Sequence, residues 1–171
     1  ANTSTIGEES TGSGDVLVNG EWNNTGQLVV AQNGGADLTI GALGLVTATQ
    51  TFVAASSGSF ANVDIVGNGK LEANDLYIGG SSLGNGGAGI VTLSGSGLLD
   101  PNIDVDRLIL RDGGTLNINS GSAMAATELI LQAGSALNVV GSGSGSAFLR
   151  VGGGGSMLRV RDRTVPFCSS S

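Results

Sequence analysis

An all-β chain folded as a right-handed parallel β-helix, a solenoid of about six coils, is the architecture this sequence predicts, on three observations. Apolar residues recur at every second position in short runs, as in Val63 and Ile65, Leu71 and Ala73, and Leu76 and Ile78. Such alternation marks half-buried strands. Gly pairs and Asn-Asp steps punctuate the runs, which makes the connections tight turns. The same phrase then restarts: the stretch from Ala61 to Leu99 contains "NVDIVGNGKLEANDLYIGG" and, after it, "GIVTLSGSGLL". The unit is therefore a repeat.

Aligning the copies on the strand that opens each one places Ala36, Ala61, Gly89, Gly114, Ser135 and Ser156 in one column, at spacings of 25, 28, 25, 21 and 21 residues. Two apolar columns come next. Leu38, Val63, Val91, Leu116, Leu137 and Leu158 form one, and Ile40, Ile65, Leu93, Ile118, Val139 and Val160 the other. Thr39, Asp64, Thr92, Asn117, Asn138 and Arg159 lie between them, so one face is buried along the whole stack and the other is wet. A second strand position repeats at Phe52 with Ala54, Leu76 with Ile78, Leu108 with Leu110, Leu129 with Leu131, and Leu149 with Val151. A weaker third is expected at Val46, Leu71, Leu99 and Ala123. Two or three strands per coil, each pairing with its equivalent in the next, describe the solenoid. An antiparallel sandwich also alternates, but nothing in it requires the same residue class to return in register copy after copy. A helical reading fails because Gly and β-branched residues interrupt every candidate segment.

In chain order, residues 1–14 (ANTSTIGEESTGSG) are polar and read as an N-terminal cap or lead-in. Residues 15–160 form the β-helix repeat domain, opening with Val16 and Val18 and then Leu28 and Val30 around Trp22. Residues 161–171 depart from the repeat and read as an irregular C-terminal tail or fragment end. Arg150, Arg159, Arg161 and Arg163 gather basic charge there, suited to blunting an open strand edge or to docking the remainder of a longer parent protein.

Composition bounds the function. A chain of 171 residues is long enough for a real core, and its 31 Gly do not imply disorder because Leu, Ile and Val are plentiful and periodic. A net charge of -7 argues against nucleic acid, which needs clustered Lys and Arg. The one cysteine, Cys168, excludes an internal disulfide and a multi-Cys metal site. No initiator Met, no basic-then-apolar leader and no apolar run approaching a membrane span is present, so the chain reads as a mature protein or a fragment.

With "GEWNNTGQLVVAQNGGADLTIGALGLVTA" and "DLYIGGSSLGNGGAGIVTLSGSGLL", the chain resembles the Gly-rich repeat associated with type V secretion and PEP-CTERM proteins. That repeat occurs in the β-helical passenger domains of Gram-negative autotransporters. The resemblance covers Gly20 to Leu99 well and Asp106 to Val160 through the strand pattern. It implies a secreted or cell-surface location, with an outer-membrane barrel elsewhere in the parent and no membrane insertion by this segment.

Catalytic chemistry is sparse. The chain has no His, which removes the commonest general base, the usual triads and most zinc sites. "GNGGAG", from Gly84 to Gly89, spells GxGxxG, but a strand comes after it where a dinucleotide site needs a helix N-terminus; it reads as an enlarged turn. Asp100, Asp104 and Asp106, with Arg107 and Arg111, form the one dense ionic cluster of the regular part, in an excursion between strands. An acidic loop there can contact an ion or a glycan, although solvation alone explains it. Asp64, Glu72 and Asp75 make a looser set one coil earlier. Trp22 can stack on a sugar or cover the first coil.

The expectation is a non-catalytic extracellular passenger fragment, a rigid stalk for adhesion or self-association. It has no cofactor and no metal, and its partner is a host-surface or glycan ligand or further copies of itself. The alternative is a carbohydrate-active β-helix enzyme, a polysaccharide lyase or hydrolase, because some β-helices use clustered acids on the outer wall.

Overall fold

The computed structural model describes residues 2–95 and 101–140, and the backbone of 148–151 and 157–160. Strands in chain order are β1 (Thr3–Ile6), β2 (Ser13–Val18), β3 (Glu21–Asn23), β4 (Gln27–Val30), β5 (Gly35–Ile40) and β6 (Leu45–Val53). They continue with β7 (Phe60–Gly67), β8 (Lys70–Ile78), a two-stranded hairpin of β9 (Gly80–Ser81) and β10 (Gly84–Asn85), and β11 (Ala88–Gly95). The last six are β12 (Ile103–Leu110), β13 (Gly114–Ile118), β14 (Ala123–Leu131), β15 (Ala136–Val139), β16 (Phe148–Val151) and β17 (Met157–Val160).

Among the described residues, every pairing outside the hairpin is parallel. One sheet has six strands, in the order β15-β13-β11-β7-β5-β2. The other has nine, with β1-β4-β6-β8-β12-β14-β16 as its spine and β3 and β17 beside it. The chain is thus a parallel β-solenoid of about five turns. Each long strand of the second sheet is bent. Pairing skips one residue where Thr49 and Asn74 face each other, and again at Asp106 and Thr127, so one strand supplies two sides of each coil.

The interior is a set of aliphatic ladders. Val16, Leu38, Val63, Val91, Leu116 and Leu137 stack in register on the six-stranded sheet, with Val18, Ile40, Ile65, Leu93 and Ile118 beside them; Val139 continues the second register but is exposed. Leu93 and its neighbours Ile65 and Ile118 are all 0 % exposed. Each such side chain contributes about 1.5–3 kcal/mol by leaving water. Across the core, Leu71, Ile103 and Met124 form one ladder, and Leu76, Leu108 and Leu129 another. Glycine matters where coils touch: a Cβ on Gly114 would lie 2.1 Å from the Ile78 carbonyl oxygen. At the turn after the bent strand, Ala31, Ala54 and Gly79 all adopt left-handed backbone, which only glycine adopts freely.

The structure corrects the expected register in several places. Thr51 and Val53, not Phe52 and Ala54, align with Leu76 and Ile78. Phe52 instead joins a ladder on the opposite face of the strand, where Val29, Phe52, Tyr77 and Ile109 are buried as a second hydrophobic cluster with Ile130 packed against it. Ile103 and Met124 occupy the positions expected for Leu99 and Ala123, and Leu99 lies outside the described residues. Leu149 and Val151 pair with Met124 and Ala126, one side of the coil earlier than expected. Leu158 and Val160 pair with Leu129 and Leu131 rather than Leu137 and Val139. The six-stranded sheet therefore lacks the expected last rung and gains β2 at its start, where Gly14 faces Ala36. Within residues 1–14, Thr3–Ile6 forms a strand in register with Gln27–Val30. Arg161 and Arg163 lie outside the described residues, and so does Cys168.

Thr51 is the polar intruder in an aliphatic ladder between Leu28 and Leu76, and its hydroxyl is buried without a hydrogen-bond partner. Thr51→Val keeps the shape and removes that cost, so it should raise stability by about 1 kcal/mol. A higher midpoint in urea with an unchanged slope is the expected reading.

Candidate functional site on the outer wall

Alternation along the bent strands sends Thr47, Glu72 and Asp104 outward from adjacent rungs, in register with one another. Asn74 and Asp106 occupy the bend, where Asp106 is exposed and Asn74 lies at the surface. These residues border a shallow, open concavity of about 370 Å³ floored by Ala48, Ala73 and Val105. Parallel strands lie about 4.8 Å apart, so Glu72 and Asp104 bring two carboxylates side by side on an open acidic shelf.

The shelf differs from the expected ionic loop. Asp104 and Asp106 lie on β12, Asp106 at its bend, rather than in an excursion, because Ile103, Val105 and Leu108 dock into core ladders on either side of them. Asp100 lies outside the described residues. Arg107 does not face Asp104 or Asp106, since the bend turns it onto the next side of the coil. There its Nε and Nη2 donate to Asp75 Oδ1 and Oδ2 at 2.6 and 2.7 Å, a two-point clamp across adjacent rungs. Gln50 Nε2 donates to the same carboxylate at 2.9 Å, and Gln27 donates to Gln50 at 3.2 Å. Arg111 is drawn elsewhere, with its guanidinium 5.6 Å from the Tyr77 ring centre and its Nη1 donating to Gln132 at 3.3 Å.

Trp22, on β3, is in register with Val46 and points inward. It is half-buried against the main core and forms the first rung of the ladder that continues through Leu71 and Ile103. Its ring packs on the core rather than standing on the outer wall.

Asn102 escaped sequence reasoning. It is 1 % exposed at the turn into β12, and its Nδ2 donates to the carbonyls of Gly67 and Gly69, both at 3.0 Å. Its Oδ1 accepts from the Ala123 N–H at 3.3 Å. One side chain thus ties three successive coils together at a corner. The Pro-Asn step that contains it reads as an ordinary turn, and nothing local marks the side chain as turned inward.

The outer face of the six-stranded sheet carries a separate run of polar ladders. Asn62 donates to Asp37 at 2.8 Å, and Asn138 to Asn117 at 2.9 Å. Burial, and then the charge of Asp37, raise the Asp64 carboxyl above its ordinary value. Burial pushes Asp75 upward too, but the hydrogen bonds from Arg107 and Gln50 and the guanidinium charge outweigh it, so Asp75 lies below its ordinary value. The two acids should therefore act oppositely on stability. Asp75 stabilises the fold above the unfolded carboxylate pKa, and that contribution is lost as pH falls through its lower folded pKa. Asp64 opposes folding at neutral pH, and that penalty disappears as pH falls below its unfolded pKa. Thermal melts across the acid range should show Asp64→Asn raising stability at neutral pH. Asp75→Asn should lower it there and flatten the loss in acid.

Among the described residues no three His, Cys, Asp or Glu side chains converge to hold a metal ion, and no helix is long and apolar enough to cross a membrane. No protein-family model, curated protein or solved structure matches the chain, so the parallel β-solenoid itself is the most specific assignment the chain receives.

Proposed function

We propose that this chain is a structural segment of an extracellular, autotransporter-like passenger region, a rigid shaft that presents its outer wall for adhesion or self-association. The observation that supports this reading is the continuity of the interior. The ladders through Leu38, Val63, Val91 and Leu116, and through Leu71, Ile103 and Met124, pass from rung to rung with every one of these side chains buried in a single aliphatic core. A shaft needs each coil to pair with the next, and repeated burial supplies that stiffness along the axis. Antibody raised against this segment should label intact cells that express the parent open reading frame. Labelling only after permeabilisation would overturn the surface assignment.

The acidic shelf favours a second reading, a carbohydrate-active enzyme, because Glu72 and Asp104 are a pair of neighbouring carboxylates on an open wall. Both acids stand in water on one face, whereas paired acid and base roles require environments that separate them. Incubation with acidic polysaccharides should release neither reducing nor unsaturated ends. Reproducible turnover that vanishes in the Glu72→Gln/Asp104→Asn/Asp106→Asn variant would replace the shaft with the enzyme.

A further inference from the structure

The sequence holds four Asn-Gly steps: Asn19–Gly20, Asn33–Gly34, Asn68–Gly69 and Asn85–Gly86. Such a step is chemically labile. The glycine nitrogen, on losing its proton, attacks the asparagine side-chain carbon Cγ. A C–N bond closes a five-membered succinimide, the Cγ–Nδ2 bond breaks and ammonia leaves. Water then opens the ring at either carbonyl, leaving an aspartyl or an isoaspartyl linkage. The reaction needs a glycine N–H free of competing hydrogen bonds and a backbone free to carry the nitrogen onto Cγ.

The fold treats the four steps differently. Gly34 N–H donates to the Gly7 carbonyl at 3.3 Å, Gly69 N–H to Val66 at 3.1 Å, and Gly86 N–H to Gly79 at 2.7 Å. These three glycines are also hemmed in by backbone, since an added Cβ would lie 2.1, 2.6 and 2.1 Å from carbonyl oxygens. The Asn33 amide is further tied to the Glu8 carbonyl at 3.1 Å. Asn19–Gly20 is the exception. It lies in the connection between β2 and β3. Among the described residues neither the Gly20 N–H nor the Asn19 side chain has a hydrogen-bond partner. Both residues are exposed and nothing lies within 4 Å of where a Gly20 Cβ would stand, while the Asn19 side-chain oxygen rests over Gly41 of the next coil, 2.0 Å from where a Cβ there would stand.

We propose that Asn19–Gly20 is a site of spontaneous modification, where the folded chain forms a succinimide and converts to aspartyl and isoaspartyl products while the other three Asn-Gly steps are protected. The site lies between β2 and β3, two residues before Trp22, and the Gly20 carbonyl accepts from Leu45 N–H at 2.9 Å. The isoaspartyl form lengthens the main chain by one atom at that point and adds a negative charge, so the product alters the turn that leads into Trp22.

The test is peptide mapping by mass spectrometry of the full chain aged in mildly alkaline buffer, folded and in urea. Conversion adds about 1 Da at the modified asparagine. In the folded chain Asn19 should convert at least about tenfold faster than Asn33, Asn68 and Asn85, because each of those must first break its glycine N–H bond and free a glycine hemmed in by backbone. In urea the four rates should draw together. Gly20→Ala, which fits the open space, should slow conversion at Asn19 several-fold in the folded chain. A folded chain in which Asn19 converts no faster than the other three, or in which all four keep their urea ranking, would overturn the proposal.

Discussion

Leu93→Asp should leave the chain largely unfolded under conditions where Thr92→Asn melts within a few degrees of the parent. Leu93 is 0 % exposed and stands in register between Ile65 and Ile118, both also fully buried. A carboxylate there has no partner within the aliphatic ladder. The cost combines lost apolar burial with an unpaired buried charge, about 4 kcal/mol or more, a large part of the total stability of an ordinary domain. Thr92, one residue along, faces outward between Asp64 and Asn117. Asparagine is the proper control at that position, because a second carboxylate beside Asp64 would add repulsion to an acid already raised by burial and by Asp37. Circular dichroism melts of the two variants decide the register: equal damage from both would mean that the assigned inward and outward faces are wrong.

The second large effect is expected at Asn102. Its amide donates to two carbonyls and accepts from one N–H, so three backbone groups of neighbouring coils depend on it inside the corner. Asn102→Asp preserves the size but removes both donors and aims a carboxylate at the Gly67 and Gly69 carbonyls. The loss should reach about 3 kcal/mol near neutral pH, since buried groups left unpaired cost about 1–3 kcal/mol each. Acid should recover part of it, because a protonated carboxyl regains one donor. Asn102→Leu should be damaging at every pH, as it satisfies none of the three groups. Urea midpoints for both variants across the acid range would check this; an aspartate variant as stable as the parent at neutral pH would show that the corner does not rely on the amide.

The periodic placement of small and aliphatic residues is a property of the chain itself, and it determined the solenoid. Ala36, Ala61, Gly89 and Gly114 share one column because the six-stranded sheet admits only small residues there. Leu38 and Ile40 recur in register because a parallel sheet must bury the same face in every coil. Alternation stopped being informative where both faces are apolar. "TFV" and "LYI" place hydrophobic residues on both faces of the strand, so Phe52, buried with Val29, Tyr77 and Ile109 in a second cluster on the outer face, was indistinguishable from a residue of the main ladders and Thr51 from a surface one. The bend at Thr49, Asn74, Asp106 and Thr127 was likewise invisible, because it shifts the alternation by one residue without a Gly or Pro to mark it. That shift separates Asp106 from Arg107, hands Arg107 to Asp75 and leaves Glu72 beside Asp104 on the open shelf. The sequence by itself determined the repeat, the parallel stacking and the inward ladders, because those arise from residue spacing along the chain. Only the tertiary structure decided which charges meet, which asparagine turns inward and which Asn-Gly step stays open, because each depends on a neighbour about one coil away in the chain and about 4.8 Å away in space.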